Sequence, residues 1–122
     1  MTHYQTVLVD DLRSFTDADY HDSALVIRTS AGAVSWLESL SADDTIGELW
    51  LDHDLGEDEN GIATDVMPFV KILEERAFFD TAPEIDKVWI HTSNSVGQKN
   101  IKAALERFFR TRSVFAGDYL YQ

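Results

Sequence analysis

The segment most informative about the fold is Leu49-Trp50-Leu51-Asp52-His53-Asp54-Leu55-Gly56. In this stretch an apolar run ends in two carboxylates that flank an imidazole, and a glycine follows. Burying such charge is costly unless a metal, a cation or a hydrogen-bond partner meets it. In open α/β sheets, ligands bind at the carboxyl ends of the strands. The stretch therefore predicts a buried strand that carries charge to a binding site at the edge of a sheet.

The length and composition indicate a single globular domain over residues 1–122. The chain has no apolar run of about 18 residues, and no basic segment followed by an apolar one near Met1. We therefore expect neither a membrane span nor a signal peptide. The absence of cysteine excludes disulfides and Cys-ligated zinc, and it favours a cytoplasmic location.

The charge balance restricts the partners. Ten Lys and Arg oppose 22 Asp and Glu, which gives a net charge of -12. Such a chain repels nucleic-acid backbones and anionic membranes, because it has too little positive charge to displace their counterions. We expect no membrane and no duplex DNA as partners, whereas a divalent cation or a basic protein partner is favoured. The simpler alternative is that acidity only keeps a small domain soluble.

Short β-branched and apolar runs predict five strands. They cover 6–9, 24–28, 46–51 and 87–91, with a fifth in the tail 113–121. Helical patterns separate these runs and predict βαβ units with a parallel sheet. Right-handed crossovers then bring the carboxyl ends of the strands to one edge of that sheet.

Apolar residues at helical spacing predict three helices between the strands. The first covers 30–40. The second ends near Phe79, and Pro68 must either lie in its first turn, where a missing N–H is tolerated, or kink it. Thr64 as N-cap favours the first turn. The third extends through Phe109, and the acidic segment 56–61 predicts a solvated loop.

Three segments carry a more specific signal. They are Asp10-Asp11-Leu12-Arg13, Leu51-Asp52-His53-Asp54-Leu55-Gly56 and His91-Thr92-Ser93-Asn94-Ser95-Val96-Gly97-Gln98-Lys99-Asn100. Together they resemble the cyclic-phosphate-processing receiver-like family, a divergent branch of the receiver fold, from about residue 7 to 105. The third segment departs from the family pattern, because Thr92 separates His91 from Ser93 and Ser95 stands where the family often has proline.

The resemblance implies a three-layer αβα, receiver-like (flavodoxin-like) domain with a central parallel β-sheet of about five strands. We expect the last helix of the receiver fold to be missing, because the chain ends where that helix would begin. Phosphorelay through Asp52 is disfavoured, since a phosphoacceptor receiver needs a lysine at the end of its fifth strand. Lys102 is the last lysine and lies in the last predicted helix.

The aspartates predict a metal site. Asp10 and Asp11 follow the first strand and Asp52 follows the third, as in receiver domains. Clustered carboxylates hold a hard cation through oxygen, and such a cation neutralises a phosphoryl group in transfer. Mg²⁺ or Mn²⁺ is therefore the expected cofactor. The alternative is that these aspartates only cap the turns after the strands.

The histidines predict proton transfer. His53 and His91 each close a strand, and two imidazoles across a small pocket can divide the general base and general acid roles. Asp54 and Asp52 flank His53 and can orient it or raise its pKa by opposite charge. Two alternatives stay open: the histidines ligate a metal together with the aspartates, or one of them only packs in the core.

The segment before the last helix predicts a phosphate site. Ser93 and Asn94 offer polar groups at a helix N-terminus, Gly97 allows close approach, and Asn100 faces back from the first turn. Arg13 is the nearest cation for a phosphate oxygen. The alternatives are ordinary capping by Ser95 and an ion pair of Arg13 with Asp54.

Two functions remain open. The leading prediction is a phosphoesterase that acts on a cyclic phosphate, either a small cyclic nucleotide or a 2',3'-cyclic phosphate at an RNA end. Its catalytic residues are His53, His91 and Asp54. The alternative is a non-catalytic acidic domain that docks on a basic protein partner or senses a nucleotide.

Overall fold

The computed structural model describes residues 1–122, apart from the side chain of His21. In chain order the elements are β1 (His3–Val9), β2 (Ser14–Phe15), α1 (Ala18–Ser23), β3 (Ala24–Ile27), α2 (Ser30–Glu38), β4 (Thr45–Leu51), β5 (Asp54–Glu57), β6 (Ala63–Asp65), α3 (Met67–Phe78), β7 (Glu84–Ile90), α4 (Ser95–Leu105), β8 (Thr111–Ser113), a 3-10 turn (Ala116–Asp118) and β9 (Leu120–Tyr121). Within this described chain, no helix is long and apolar enough to cross a membrane.

A five-stranded parallel sheet lies at the centre, in the order β3-β1-β4-β7-β8. The three inner strands are rich in buried Val, Leu and Ile, as expected of strands covered on both faces. Helices α2, α3 and α4 pack on one face through Leu37, Phe69, Leu73 and Ile101. The predicted α/β fold with a central parallel sheet is confirmed.

A thinner layer covers the opposite face. It consists of α1, the β2–β9 pair and the segment 114–119, which pack around Trp50. The Trp50 ring stacks on Trp89, with ring centroids 4.7 Å apart. Glu48 accepts hydrogen bonds from the Trp89 indole and the Tyr20 hydroxyl. Burial and the Glu48 carboxylate raise the pKa of Tyr20 to about 12.

The C-terminal part differs from the prediction. The fifth parallel strand is β8, which ends at Ser113, where the predicted strand begins. The predicted last helix is present as α4, but its predicted end at Phe109 is wrong, because α4 ends at Leu105 and the chain must return to the sheet edge for β8. After β8 the chain forms the 3-10 turn, and β9 pairs antiparallel with β2. Among the described residues, no helix of the α type follows β8.

The segment between β4 and α3 also differs. Strand β5 pairs antiparallel with β6 and forms a short hairpin. The predicted loop 56–61 covers the last two residues of β5 and most of the turn that follows. Gly56 and Gly61 have φ of 72° and 74°, which favours glycine at both positions. Thr64 lies in β6, and the N-cap position of α3 is Val66. Pro68 does lie in the first turn of α3, as predicted.

Asp44 ties the beginning of β1 to the turn before β4. Its carboxylate accepts hydrogen bonds from the backbone N–H groups of Thr2 (2.6 Å) and Ser41 (2.8 Å). The backbone bonds from Ser41 and Thr2 lower the pKa of Asp44 below its model-peptide value of 3.8. A carboxyl group with a lowered pKa stabilises the fold above its unfolded pKa, and this contribution is lost as the pH falls through the folded value.

We therefore expect Asp44→Ala to lower the melting temperature at pH 7, because two backbone donors lose their acceptor. The difference in free energy of unfolding between wild type and variant should shrink as the pH falls below 3.8. Urea unfolding between pH 7 and pH 2.5 measures it. Asp43→Ala, at an exposed neighbour, is the matched control and should show no such pH-dependent difference.

Candidate functional site

Three buried polar side chains meet at the carboxyl edge of the sheet. Asp10, Asp52 and His91 directly follow β1, β4 and β7, which are adjacent strands. One potential ligand atom from each residue lies within 4.8 Å of the others. Asp10 and His91 are 0% exposed and Asp52 is 7% exposed. We call these three residues the acidic cluster.

Hydrogen bonds hold the cluster in place. The Asp10 carboxylate accepts from the backbone N–H groups of Leu12 (2.9 Å) and Arg13 (2.8 Å). The His91 Nε2 lies 3.0 Å from Asp10 Oδ2, and it is the donor because an ionised carboxylate can only accept. His91 Nδ1 is buried and has no hydrogen-bond partner among the described residues. Asp10 and His91 therefore form a pair that leaves Nδ1 unused.

Arg13 supplies the positive charge that the buried carboxylates require. Its Nη1 lies 3.4 Å from Asp10 Oδ2 and 3.3 Å from Asp52 Oδ2, so one guanidinium bridges both groups. The alternative pairing of Arg13 with Asp54 is not the one that the structure shows. The bridge offsets the free-energy cost of burying the two carboxylates. The segment 49–56 predicts that a partner of this kind is needed.

The pKa values of the Asp10 and Asp52 carboxyl groups are shifted in opposite directions. Burial alone would raise the pKa of Asp10, but the bonds from His91 and from the backbone of Arg13 and Leu12 lower it to about 2. Burial raises the pKa of Asp52, and the neighbouring Asp10 charge raises it further. His91, Thr92 and Arg13 oppose that shift. Divergent pKa values in two adjacent carboxylates are typical of functional sites.

Asp11 lies apart from the cluster. A Cβ added at Gly56 would lie 3.0 Å from Asp11 Oδ2, so this carboxylate faces the β5–β6 hairpin. Among the described side chains, the group that could hold a metal consists of the acidic cluster, with His91 in the place that we predicted for Asp11. Two carboxylates and an imidazole suit Mn²⁺ better than Mg²⁺, because Mg²⁺ prefers oxygen ligands alone. The Arg13 guanidinium already bonds to both carboxylates, so a bound cation would compete with it.

His53 forms a second aspartate–histidine pair. Its Nδ1 lies 3.0 Å from Asp54 Oδ1 and 3.5 Å from the Asn94 side-chain nitrogen. A Cβ added at Gly97 would overlap the His53 ring, so only glycine allows the first turn of α4 to approach it. The predicted close approach at Gly97 therefore involves a protein side chain.

Asn94 is the N-cap of α4. Its side-chain oxygen accepts from the Gly97 N–H at 2.9 Å, so the cap is Asn94 and not Ser95. Its side-chain nitrogen lies 3.5 Å from Asp54 Oδ2. Both ends of the Asn94 amide are thus occupied by protein groups.

The predicted site residues line two different cavities. Arg13, His91 and Ser93 line a cavity of about 400 Å³, which we call the Arg13 cavity. His53 and Asn100 line a different one of about 700 Å³, together with Lys71 and Glu74. The expected arrangement of two histidines across one small pocket is therefore not the one that these cavities show.

Sequence reasoning missed much of the Arg13 cavity. Its far wall comes from the C-terminal segment, because the β2–β9 pairing brings that segment next to Arg13. No motif marks this wall, although Phe115 is an aromatic residue that is 73% exposed. Its residues are Ser113, Val114, Phe115, Ala116, Gly117, Leu120, Tyr121 and Gln122.

The parallel sheet, the flanking helices and the acidic cluster define a receiver-like domain. The family described as the cyclic-phosphate processing receiver domain matches residues 5–107, and the chain belongs to this family. Comparisons with curated proteins and with solved structures gave no match. The chain is thus a receiver-like domain associated with cyclic-phosphate processing.

The pKa shift of Asp52 predicts a stability change. A carboxyl group with a raised pKa costs folding free energy once the pH rises above its unfolded value, 3.8 for Asp52. We expect Asp52→Asn to raise the melting temperature at pH 7 in EDTA, because it removes the repulsion of Asp10. Asp43→Asn, which removes the same charge from an exposed site, is the control. An equal melting temperature in both variants at pH 7 would contradict the expectation.

The acidic cluster also predicts cation binding. We expect Mn²⁺ to raise the melting temperature, with about 2.7 kcal/mol of stabilisation at 100 times its Kd. Asp52→Asn should abolish this shift, whereas Arg13→Gln should enlarge it by removing the competing guanidinium. Thermal melts over a Mn²⁺ titration measure the shift. An unchanged response in Asp52→Asn would place the cation elsewhere.

Proposed function

We propose that the protein hydrolyses a cyclic phosphodiester in the Arg13 cavity. One observation carries this proposal: the Arg13 side chain lines the cavity and also bridges the two buried carboxylates of the acidic cluster. The cavity of about 400 Å³ falls within the usual range for small-molecule sites. Arg13 and Ser93 suit a phosphate, whereas Val114 and Leu120 suit an apolar part of the ligand.

The reaction consumes one water molecule. The water oxygen forms a bond to phosphorus, and one P–O bond of the ring breaks, which leaves a phosphomonoester. One proton leaves the water, and one proton is delivered to the departing oxygen. Arg13 is placed to bind the non-bridging phosphate oxygens, where charge is held throughout the reaction.

The two aspartate–histidine pairs are the candidates for the proton transfers. In each pair the carboxylate bonds to one ring nitrogen and leaves the other free. Asp10 bonds to Nε2 of His91, so Nδ1 is free, and Asp54 bonds to Nδ1 of His53, so Nε2 is free. A carboxylate that orients an imidazole in this way also stabilises its protonated form. We assign the base that activates water to His91, because it borders the Arg13 cavity. We assign the acid to His53, which lines the other cavity, so this assignment requires the bound substrate to reach from the Arg13 cavity to His53.

A divalent cation fits this proposal. Asp10 and Asp52 would hold it, and Mg²⁺ or Mn²⁺ would offset negative charge on the phosphate. His91 would not ligate the cation in this reaction, because its Nε2 donates to Asp10 and its Nδ1 takes the proton from water. The Asp11 carboxylate faces Gly56 and lies outside this site.

The binding-protein alternative is favoured by one observation. Arg13 already neutralises the cluster, so the site is satisfied without a ligand. A domain of this kind would bind a cyclic nucleotide without hydrolysing it. Binding of nucleoside 2',3'-cyclic or 3',5'-cyclic phosphates without hydrolysis of any of them would favour this alternative.

The test is hydrolysis of nucleoside 2',3'-cyclic and 3',5'-cyclic phosphates with Mn²⁺, followed by phosphorus NMR. We expect His53→Ala and His91→Gln each to lower kcat by about 100-fold or more, as for loss of a general acid or base. Glutamine at 91 keeps a donor at the position of Nε2 for buried Asp10 and so protects the fold. His3→Ala is the control, since His3 lies at the other end of β1 and is exposed. Full activity in both site variants would eliminate the two-histidine mechanism.

A further inference from the structure

The positive charge of this acidic chain is concentrated in one segment. Residues 87–112 contain six Lys and Arg and a single Glu, a net charge of +5. Because the whole chain carries -12, the other residues together carry -17. The average charge therefore does not describe the surface that this segment forms.

Four of these cations lie together at the free edge of the sheet. They line a cavity of about 670 Å³ beside β8, the outermost strand. The only acidic residue that lines it is Glu106. We call this group of cations the basic strip; its members are Lys87, Arg107, Arg110 and Arg112.

The charges of the basic strip are not neutralised by acidic side chains of the fold. Among the side chains that the structure describes, none of the four forms a salt bridge. Lys87 and Arg112 instead lie over the Trp89 ring, at 4.4 Å and 5.5 Å from its centroid. Like charges that are held together repel one another, so an anionic ligand would stabilise this arrangement.

Other arginines of the chain are used differently. Arg76 donates to the carbonyl groups of Leu37, Leu40 and Thr81, and Arg28 donates to the carbonyl groups of Asp10 and Arg13. These arginines satisfy backbone acceptors inside the fold. In the basic strip Arg110 Nε donates to the Asp86 carbonyl, and no other hydrogen bond of these four side chains is found among the described residues. Most donors of the basic strip are therefore left for a ligand.

Strand β8 connects the basic strip to the Arg13 cavity. Arg110 and Arg112 line the strip, and Ser113, the next residue, lines the Arg13 cavity. From Arg110 to Ser113 an extended chain covers about 10 Å. The basic strip and the Arg13 cavity therefore meet at neighbouring residues of β8.

Aromatic side chains accompany both surfaces. Phe108 lines the basic strip, and Phe115 lines the Arg13 cavity with 73% of its surface exposed. A Cβ at Gly117 would lie 2.5 Å from the Phe115 ring, so the backbone there supports the ring directly. Basic grooves with exposed aromatic rings are typical of single-stranded nucleic-acid sites, where bases stack on the rings.

We infer that the substrate is a single-stranded RNA whose 3' end carries the cyclic phosphate. This inference rests on the proposed function: the cyclic phosphate occupies the Arg13 cavity, and the preceding phosphodiesters lie along the basic strip. The remaining surface repels RNA because of its negative charge. Binding is therefore restricted to one path, and duplexes gain little from it.

The test measures binding of fluorescent oligoribonucleotides of one to six nucleotides by anisotropy, in EDTA and over a range of salt. Oligonucleotides that end in a 3'-hydroxyl report the basic strip alone. We expect Kd to fall as the length increases, with a dependence of log Kd on log salt of about 0.7 for each phosphate neutralised. Arg107→Gln with Arg112→Gln should reduce this slope by about 1.4.

The control is Lys99→Gln with Lys102→Gln. These lysines are exposed on α4, belong to the same basic segment and line neither cavity. Equal loss of affinity in the two double variants, or a Kd independent of length, would overturn the inference. A salt-sensitive dimer in sedimentation without RNA binding would overturn it too. Binding that depends on the basic strip but is not followed by hydrolysis would contradict only the proposed catalysis. Hydrolysis of mononucleotides, with an affinity that does not depend on length, would contradict only the role of the basic strip.

Discussion

The bridge between Arg13 and two buried carboxylates is the constraint on which the site depends. Asp10 and Asp52 end adjacent parallel strands, so the topology forces like charges together at the sheet edge. Without a cation, two ionised carboxylates at this depth would destabilise the fold. Arg13 lies three residues after Asp10 and solves this problem locally, while its side chain also borders the cavity. Stability and ligand recognition thus share one guanidinium.

The histidines show how the same chemistry recurs with different surroundings. His91 is entirely buried and bonds to the ionised Asp10, whereas His53 is 12% exposed and bonds to Asp54, which is largely exposed. Glycine at position 97 is required for the second pair, because α4 begins directly against the His53 ring. The motif residues therefore line two different cavities.

Charge distribution matters more than net charge in this molecule. From composition alone, -12 predicts repulsion of every polyanion. The structure places four of the ten basic side chains around one cavity at the edge strand. Because electrostatic interactions between exposed charges are screened over about 10 Å at moderate salt, a local group of cations can bind phosphates although the whole chain is acidic.

The sequence by itself determined the parallel sheet and the polar edge of the strands. Apolar runs and helical spacing are local signals, and in a parallel sheet the strand ends must meet, so Asp10, Asp52 and His91 were placed together correctly. The tertiary structure alone decided the pairing of Arg13, the position of Asp11 and the separation of His53 from His91. It also decided that the tail would wall the Arg13 cavity, through the β2–β9 pairing of residues about 105 positions apart. Such long-range contacts depend on packing and on side-chain direction, which leave no periodic signal in the chain.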